Sequence, residues 1–206
     1  MNGKTKSWQR MSLLVTRLVR DGSGIAATEF AVIAPIMLVL FFGLVEITNG
    51  ISAYRKVSIT AHAISDLTSQ SSSLNDTDLN NFFCASSAIM SPFVTPTSPC
   101  PPSPSAVKQS ILELWVNSSL QARVQWAKNS DGSTPLAAGT IVSIPSSLQV
   151  ANTYIIYSSV TYTYVPAVGY VMNKSGVTLT DSSYTRPRQS LCVQYNVTAN
   201  SACPQK

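Results

Sequence analysis

The sequence predicts an α+β protein: a long N-terminal helix, apolar in its first half and amphipathic in its second, packed on a small C-terminal antiparallel β-sheet head. Three patterns predict it. From Phe30 to Val45 runs a sixteen-residue stretch without a charge or a strongly polar group. Apolar residues then recur at Ile47, Ile51, Tyr54, Val57, Ala61, Ile64 and Leu67, in steps of three and four that put them on one helical face. Beyond Leu120 the period drops to two, and β-branched and aromatic residues dominate.

Only 11% of the 206 residues are charged, against roughly a quarter in an ordinary soluble domain. Apolar residues, at 45%, are ordinary, so Ser, Thr, Asn and Pro take the place of charge. That suits a secreted or surface-exposed protein and argues against a cytosolic enzyme. The net charge of +5 is unevenly placed: residues 1–24 hold five bases (Lys4, Lys6, Arg10, Arg17, Arg20) and one acid, Asp21. The remaining 182 residues hold nine bases and eight acids, so the body of the chain has no charge surplus to support nucleic-acid binding.

About 20 apolar residues, each rising 1.5 Å, cross the hydrocarbon core of a bilayer. Ile25 to Val45 supplies 21, interrupted only by Thr28 and Glu29, and no other stretch compares. Five bases precede the segment and the next two follow at Arg55 and Lys56, which places the N-terminus in the cytoplasm and the body outside. An ordinary cleaved signal peptide fits less well. Where its small-residue cleavage site belongs, the chain reads Glu46-Ile47-Thr48-Asn49, and Ala61-His62-Ala63 lies sixteen positions too far along.

The informative stretch is Gly22-Ser23-Gly24-Ile25-Ala26-Ala27-Thr28-Glu29-Phe30-Ala31. A basic leader ends in a small residue, a carboxylate stands fifth after it, an aromatic follows, and the apolar run begins. An ionised carboxylate in such a helix costs about 2.5–3.5 kcal/mol at the bilayer centre and less near the edge, so it usually has a partner. Cutting after Gly24 would create one: the Ile25 amine, four residues and about 6 Å of axial rise from Glu29. Between chains the same pairing would set the stagger of helices packed side by side. Without a cut, Glu29 is a wet interfacial carboxylate on a plain anchor.

This constellation resembles the processing site of type IV prepilins, and more closely that of the TadE-like minor pseudopilins of tight-adherence (Flp-type) pili. The resemblance rests on Gly24, Glu29 and Phe30, with Pro35 and Glu46 also fitting the family's helix. It implies that a prepilin peptidase cuts between Gly24 and Ile25, and that Glu29 and Phe30 serve assembly. The implied partners are the membrane, the major Flp-type pilin, other minor pseudopilins and the inner-membrane assembly platform. The implied role is assembly, initiation or tip structure of the pilus, without enzyme activity, in a single-pass inner-membrane protein that either stays in the membrane or enters the extracellular fibre; sequence alone leaves the two open. The alternative is an uncleaved, membrane-tethered periplasmic binding module. Tyr184-Thr185-Arg186-Pro187-Arg188 resembles a further stretch of TadE-like proteins; sequence alone leaves the two arginines either pairing with a neighbouring subunit or lying in a solvated loop.

The expected organisation is a cytoplasmic leader (1–24), a transmembrane helix (25–46), an amphipathic extension (47–70), a Pro/Ser-rich region with short helices (71–118) and a β-rich periplasmic head (119–206). Ser71-Ser72-Ser73 ends the long helix. A short helix is expected within 74–90, capped by Asn75 or Thr77, and a second over 106–117 that packs Val107, Ile111, Leu114 and Trp115. Residues 91–105, with six of the twelve prolines, read as a loop. Three to five antiparallel strands follow, with Thr153 to Val165 the strongest.

Chemistry-bearing residues are few. Cys84, Cys100, Cys192 and Cys203 all follow the membrane segment, on the oxidising side, and are expected as disulfides between sequence neighbours, Cys84–Cys100 and Cys192–Cys203. No Cys-x-x-Cys is present, so zinc and thioredoxin-like chemistry lack support. The single histidine, His62, reads as a partly exposed helix residue; a Ser/His/Asp or Cys/His site would have to work from the stalk. No catalytic residue, metal or cofactor is expected.

Overall fold

The structure, a computed structural model, describes residues 23–94, 107–166, 176–197 and 202–206. The basic leader through residue 22 and most of the Pro-rich loop lie outside the described residues. The chain divides into two compact units, Met1–Ile47 and Thr48–Lys206.

In the first unit the described residues belong to helix α1, Ser23–Ser69, which runs on into the second. Its apolar side chains are exposed all round, Phe30 at 72% and Leu40 at 64% among them. A helix apolar on every side needs lipid or other helices around it. This one is long and apolar enough to cross a membrane, and it fits a single-pass anchor. Pro35 lies inside it, where it removes one backbone donor.

The second unit is α+β, as expected. Its elements are the outer half of α1, β1 (Ser73–Leu74), α2 (Asp76–Ile89), β2 (Val107–Val116), β3 (Ala122–Asn129), β4 (Ile141–Val142), β5 (Thr153–Tyr164), β6 (Val177–Thr185) and β7 (Gln194–Tyr195). Five of the strands form one antiparallel sheet in the order β4-β3-β2-β5-β6; β1 and β7 pair separately and in parallel. One face of the sheet carries Val107, Ile111, Trp126, Ile156, Val160 and Tyr162 against α1 and α2. The opposite face buries Leu112, Leu114, Val116, Val124 and Ile155 beneath Ile144 and Leu148 of the β3–β5 connection.

The helix expected over 106–117 is a strand instead. Val107, Ile111 and Leu114 step by four and three, which imitates helical spacing. As β2 these residues form the middle of the sheet, paired on both edges, and most of the strand is buried on both faces. A strand buried on both faces loses its alternation and reads as an apolar run. The sheet therefore starts at Val107, ahead of the boundary drawn at 119. Leu120, expected to open β3, instead sits in the β2–β3 turn with φ +60° and an exposed side chain.

The helix α2 begins where expected. Asn75 accepts from the Asp78 N–H at 2.9 Å and Asp78 accepts from the Asn75 N–H at 3.1 Å, a reciprocal cap. At its other end the Lys56 ammonium donates to Ile89 O at 2.9 Å, a cation on the negative end of the helix.

The docked face of α1 consists of Ala53, Val57, Thr60, Ala61, Ile64, Ser65 and Thr68, all fully buried. Ile51 and Tyr54, expected on that face, are exposed at 52% and 47%. Small residues let the helix approach β5 and β6 closely. Ser158 Oγ donates to Ala61 O at 2.6 Å, and Ser65 shares a 2.6 Å hydrogen bond with Thr185.

Candidate functional site

Gly24 and Ile25 lie in the first turn of α1. A Cβ built on Gly24 meets nothing within 4 Å, and the residue does not have a positive φ. Neither packing nor backbone geometry demands glycine there, and glycine inside a helix costs about 1 kcal/mol relative to alanine. Ile25 is 65% exposed, so the Gly24–Ile25 bond is open on its own chain's side. Glu29 and Phe30 are exposed one turn further on. Among the described residues Glu29 forms no ion pair. Thr28, also exposed, donates its hydroxyl to Ile25 O at 2.8 Å. Among the described residues the junction is thus a small, uncovered residue, a carboxylate without an ion pair and an aromatic at the head of an apolar rod.

The other predicted residues lie apart from it. Cys192 and Cys203 form a disulfide, and Cys84 is disulfide-bonded; Cys100 lies outside the described residues. His62 is exposed and shares a 2.9 Å hydrogen bond with Ser183 through Nδ1. Among the described residues no three His, Cys, Asp or Glu side chains gather as a metal would require.

Sequence reasoning missed a C-terminal strap, residues 188–196, that ties the outer end of α1 to the sheet. Arg188 pairs with Asp66 at 2.6 Å, and its N–H donates to Ser69 O at 2.9 Å. Arg186 and Arg188 are exposed in a loop, as the solvated reading expects, and Arg188 also meets the last turn of its own helix from there. Gln194 N–H donates to Ser72 O and Asn196 N–H to Leu74 O, forming the β1–β7 pair. Val193 is gripped on both backbone groups. Glu113 Oε1 accepts its N–H at 2.5 Å, and Trp126 Nε1 donates to its carbonyl at 2.7 Å. Glu113 and Trp126 are direct partners across β2 and β3. The one sequence signal for Glu113 is a lone acid between Leu112 and Leu114.

Burial pushes the Glu113 carboxyl up to about 8, against weaker opposing effects of the Val193 N–H and the nearby Trp126 indole; its Oε2 has no partner. Beside the strap, Tyr195 stacks on Trp126 and donates to Asp76, while Lys128 lies 3.4 Å from the same carboxylate. The Tyr195 hydroxyl, then Asn196, hold Asp76 below the usual carboxylate range. Beyond Cys203 the tail is held by Tyr154 OH donating to Pro204 O at 2.9 Å and by Gln125, which bonds both backbone groups of Lys206.

The Cys192–Cys203 link closes an eleven-position loop around this docking. Replacing both cysteines by serine is expected to lower unfolding free energy by about 2–3 kcal/mol, measured by denaturant titration under non-reducing conditions. Wild-type stability in the double variant would mean that the strap's other contacts suffice.

Residues 24–65 match the family model described as TadE-like protein. The chain carries a TadE-like segment. The match opens at Gly24, includes Glu29, Phe30, Pro35 and Glu46, and continues through Val57, Ala61 and Ile64 of the docked face. The resemblance carried by the junction residues is thereby supported over one continuous stretch of α1. Comparison with curated proteins and with solved structures returned no match.

Proposed function

We propose that the protein is a minor pseudopilin of a tight-adherence, Flp-type pilus. It is made with a cytoplasmic basic leader, held in the inner membrane by the first half of α1 with its head in the periplasm, and trimmed after Gly24 by a prepilin peptidase. It then acts in assembly, initiation or tip structure, through contacts with the major pilin, other minor pseudopilins and the assembly platform rather than through catalysis. The observation that carries this reading is the junction itself. The TadE-like match opens on a glycine that the fold does not need, five residues ahead of a carboxylate at the head of an exposed apolar helix. A residue the fold does not require points to an external reader, and a peptidase is one.

Trimming removes five cations and leaves the Ile25 ammonium as the nearest partner for Glu29, in its own chain or a neighbour's. The disulfide-bonded head suits an oxidising compartment.

Intact mass of the protein from its native host is expected to correspond to a chain starting at Ile25, and Gly24→Leu to keep the leader. Glu29→Ala is expected to be trimmed normally yet to lose most co-purification with its helix partners. A native wild-type chain that retains the leader would overturn the proposal in favour of a simple tether.

A further inference from the structure

Glu113 is fully buried in the middle strand of the sheet, and one of its oxygens makes no hydrogen bond. Such a group is costly, because a buried polar atom without a partner has given up its hydrogen bonds to water for none in the fold. A glutamine or a small polar residue would offer Val193 the same acceptor without an ionisable group. What covers the carboxyl is the strap itself. Val193 and Cys192 are at most 1% exposed, and the Val193 N–H donates to Glu113 Oε1. The surrounding charges are sparse. Among the described residues no cation contributes to its titration from α1, α2, β3 or the strap, and Tyr154 of β5 is a titratable neighbour coupled to it. The disulfide-bonded Cys192 does not titrate.

We propose that Glu113 is a protonation latch for the C-terminal strap: neutral, it seats Val193 on the sheet, and once ionised it is relieved by water reaching it as the strap lifts. Burial supplies the driving force. A buried anion with one oxygen left unpartnered gains most by exposure, and the strap is the cover that can move without breaking the five-stranded sheet. The strap also ties α1. Arg188 holds Asp66 and Ser69, and Gln194 holds Ser72, so lifting it loosens the outer end of the helix that carries the TadE-like segment. The consequence is a head whose grip on its helix weakens in alkaline surroundings. This inference stands on the strap and does not depend on the pilus assignment.

The test is hydrogen exchange on the full chain in detergent micelles at about pH 6 and about pH 9.5, corrected for intrinsic rates. Amides of residues 192–196 are expected to lose at least about tenfold of their protection at the higher pH, while those of β5 keep theirs. Glu113→Gln, which retains an acceptor for Val193, is expected to stay protected at both. Isotope-labelled glutamate followed by NMR gives a second readout on the wild type: one carboxyl should titrate with the same midpoint as strap opening. Unchanged strap protection in the wild type, an equal loss in Glu113→Gln, or three glutamates all titrating in the ordinary carboxylate range would each overturn the proposal.

Discussion

Between about pH 5 and pH 9 the wild-type head is expected to lose several kcal/mol of stability, and Glu113→Gln to lose far less. The carboxyl stands at about 8 when folded, against 4.5 in an open chain. The folded state holds the proton more tightly, so its advantage is complete below about 4.5. It declines as the pH rises through the interval and is gone above about 8. At 1.36 kcal/mol per unit the difference is about 5 kcal/mol, an upper figure because water entering the opened strap relieves part of it. Asp76 and Asp131 are both held below the carboxylate range, by hydroxyl donors first of all, so their contributions fall away only in acid, below this interval. Urea titrations across the range, at constant ionic strength, give the measurement. A flat wild-type profile would place Glu113 in contact with water.

The contrast between Glu113 and Glu29 marks how far a sequence can be read here. The setting of Glu29 was legible because it is local: basic leader, glycine, carboxylate, aromatic and apolar run are adjacent in the chain, and the TadE-like match spans residues 24–65. Glu113 was not, because its meaning depends on Val193, eighty positions away, and on Trp126 across a strand pair. The strap as a whole shares that character. Arg188 next to Asp66 cannot be foreseen when 122 positions separate them. Disulfide pairing between Cys192 and Cys203 was legible, again because the partners are near in sequence.

The fold divides in the same way. The long helix, the capped helix at Asn75, β5 and the turn at Asp131-Gly132 follow from local patterns that tertiary structure reinforces. The middle strand β2 does not. Being buried on both faces removed the alternation that would have announced it, and the steps between Val107, Ile111 and Leu114 filled the gap with a helical rhythm. The two-residue strands β1 and β7 leave no pattern at all; they form because the strap lies beside the exit from α1.

Ile64→Ala is expected to destabilise the head by about 2–5 kcal/mol, lowering its Tm by roughly 10 °C, while Ile51→Ala changes stability by less than about 0.5 kcal/mol. The two residues belong to one apolar stripe in the sequence. Yet Ile64 is fully buried beside Val57 and Ala61, and Ile51 is 52% exposed. The docked face is rotated away from the stripe because its other members are Ala53, Thr60, Ser65 and Thr68, small or hydroxyl-bearing side chains that do not register as hydrophobic. Their size brings the helix near enough for Ser158 to reach Ala61 O and for Ser65 to reach Thr185. A cavity at Ile64 lies under that close contact, and the Ser158–Ala61 and Ser65–Thr185 hydrogen bonds limit its collapse, which puts the cost toward the upper part of the range. Thermal melts of both variants in the same detergent decide the matter. Equal effects from the two substitutions would mean that the helix docks through the stripe after all, with Ile51 and Tyr54 turned inward.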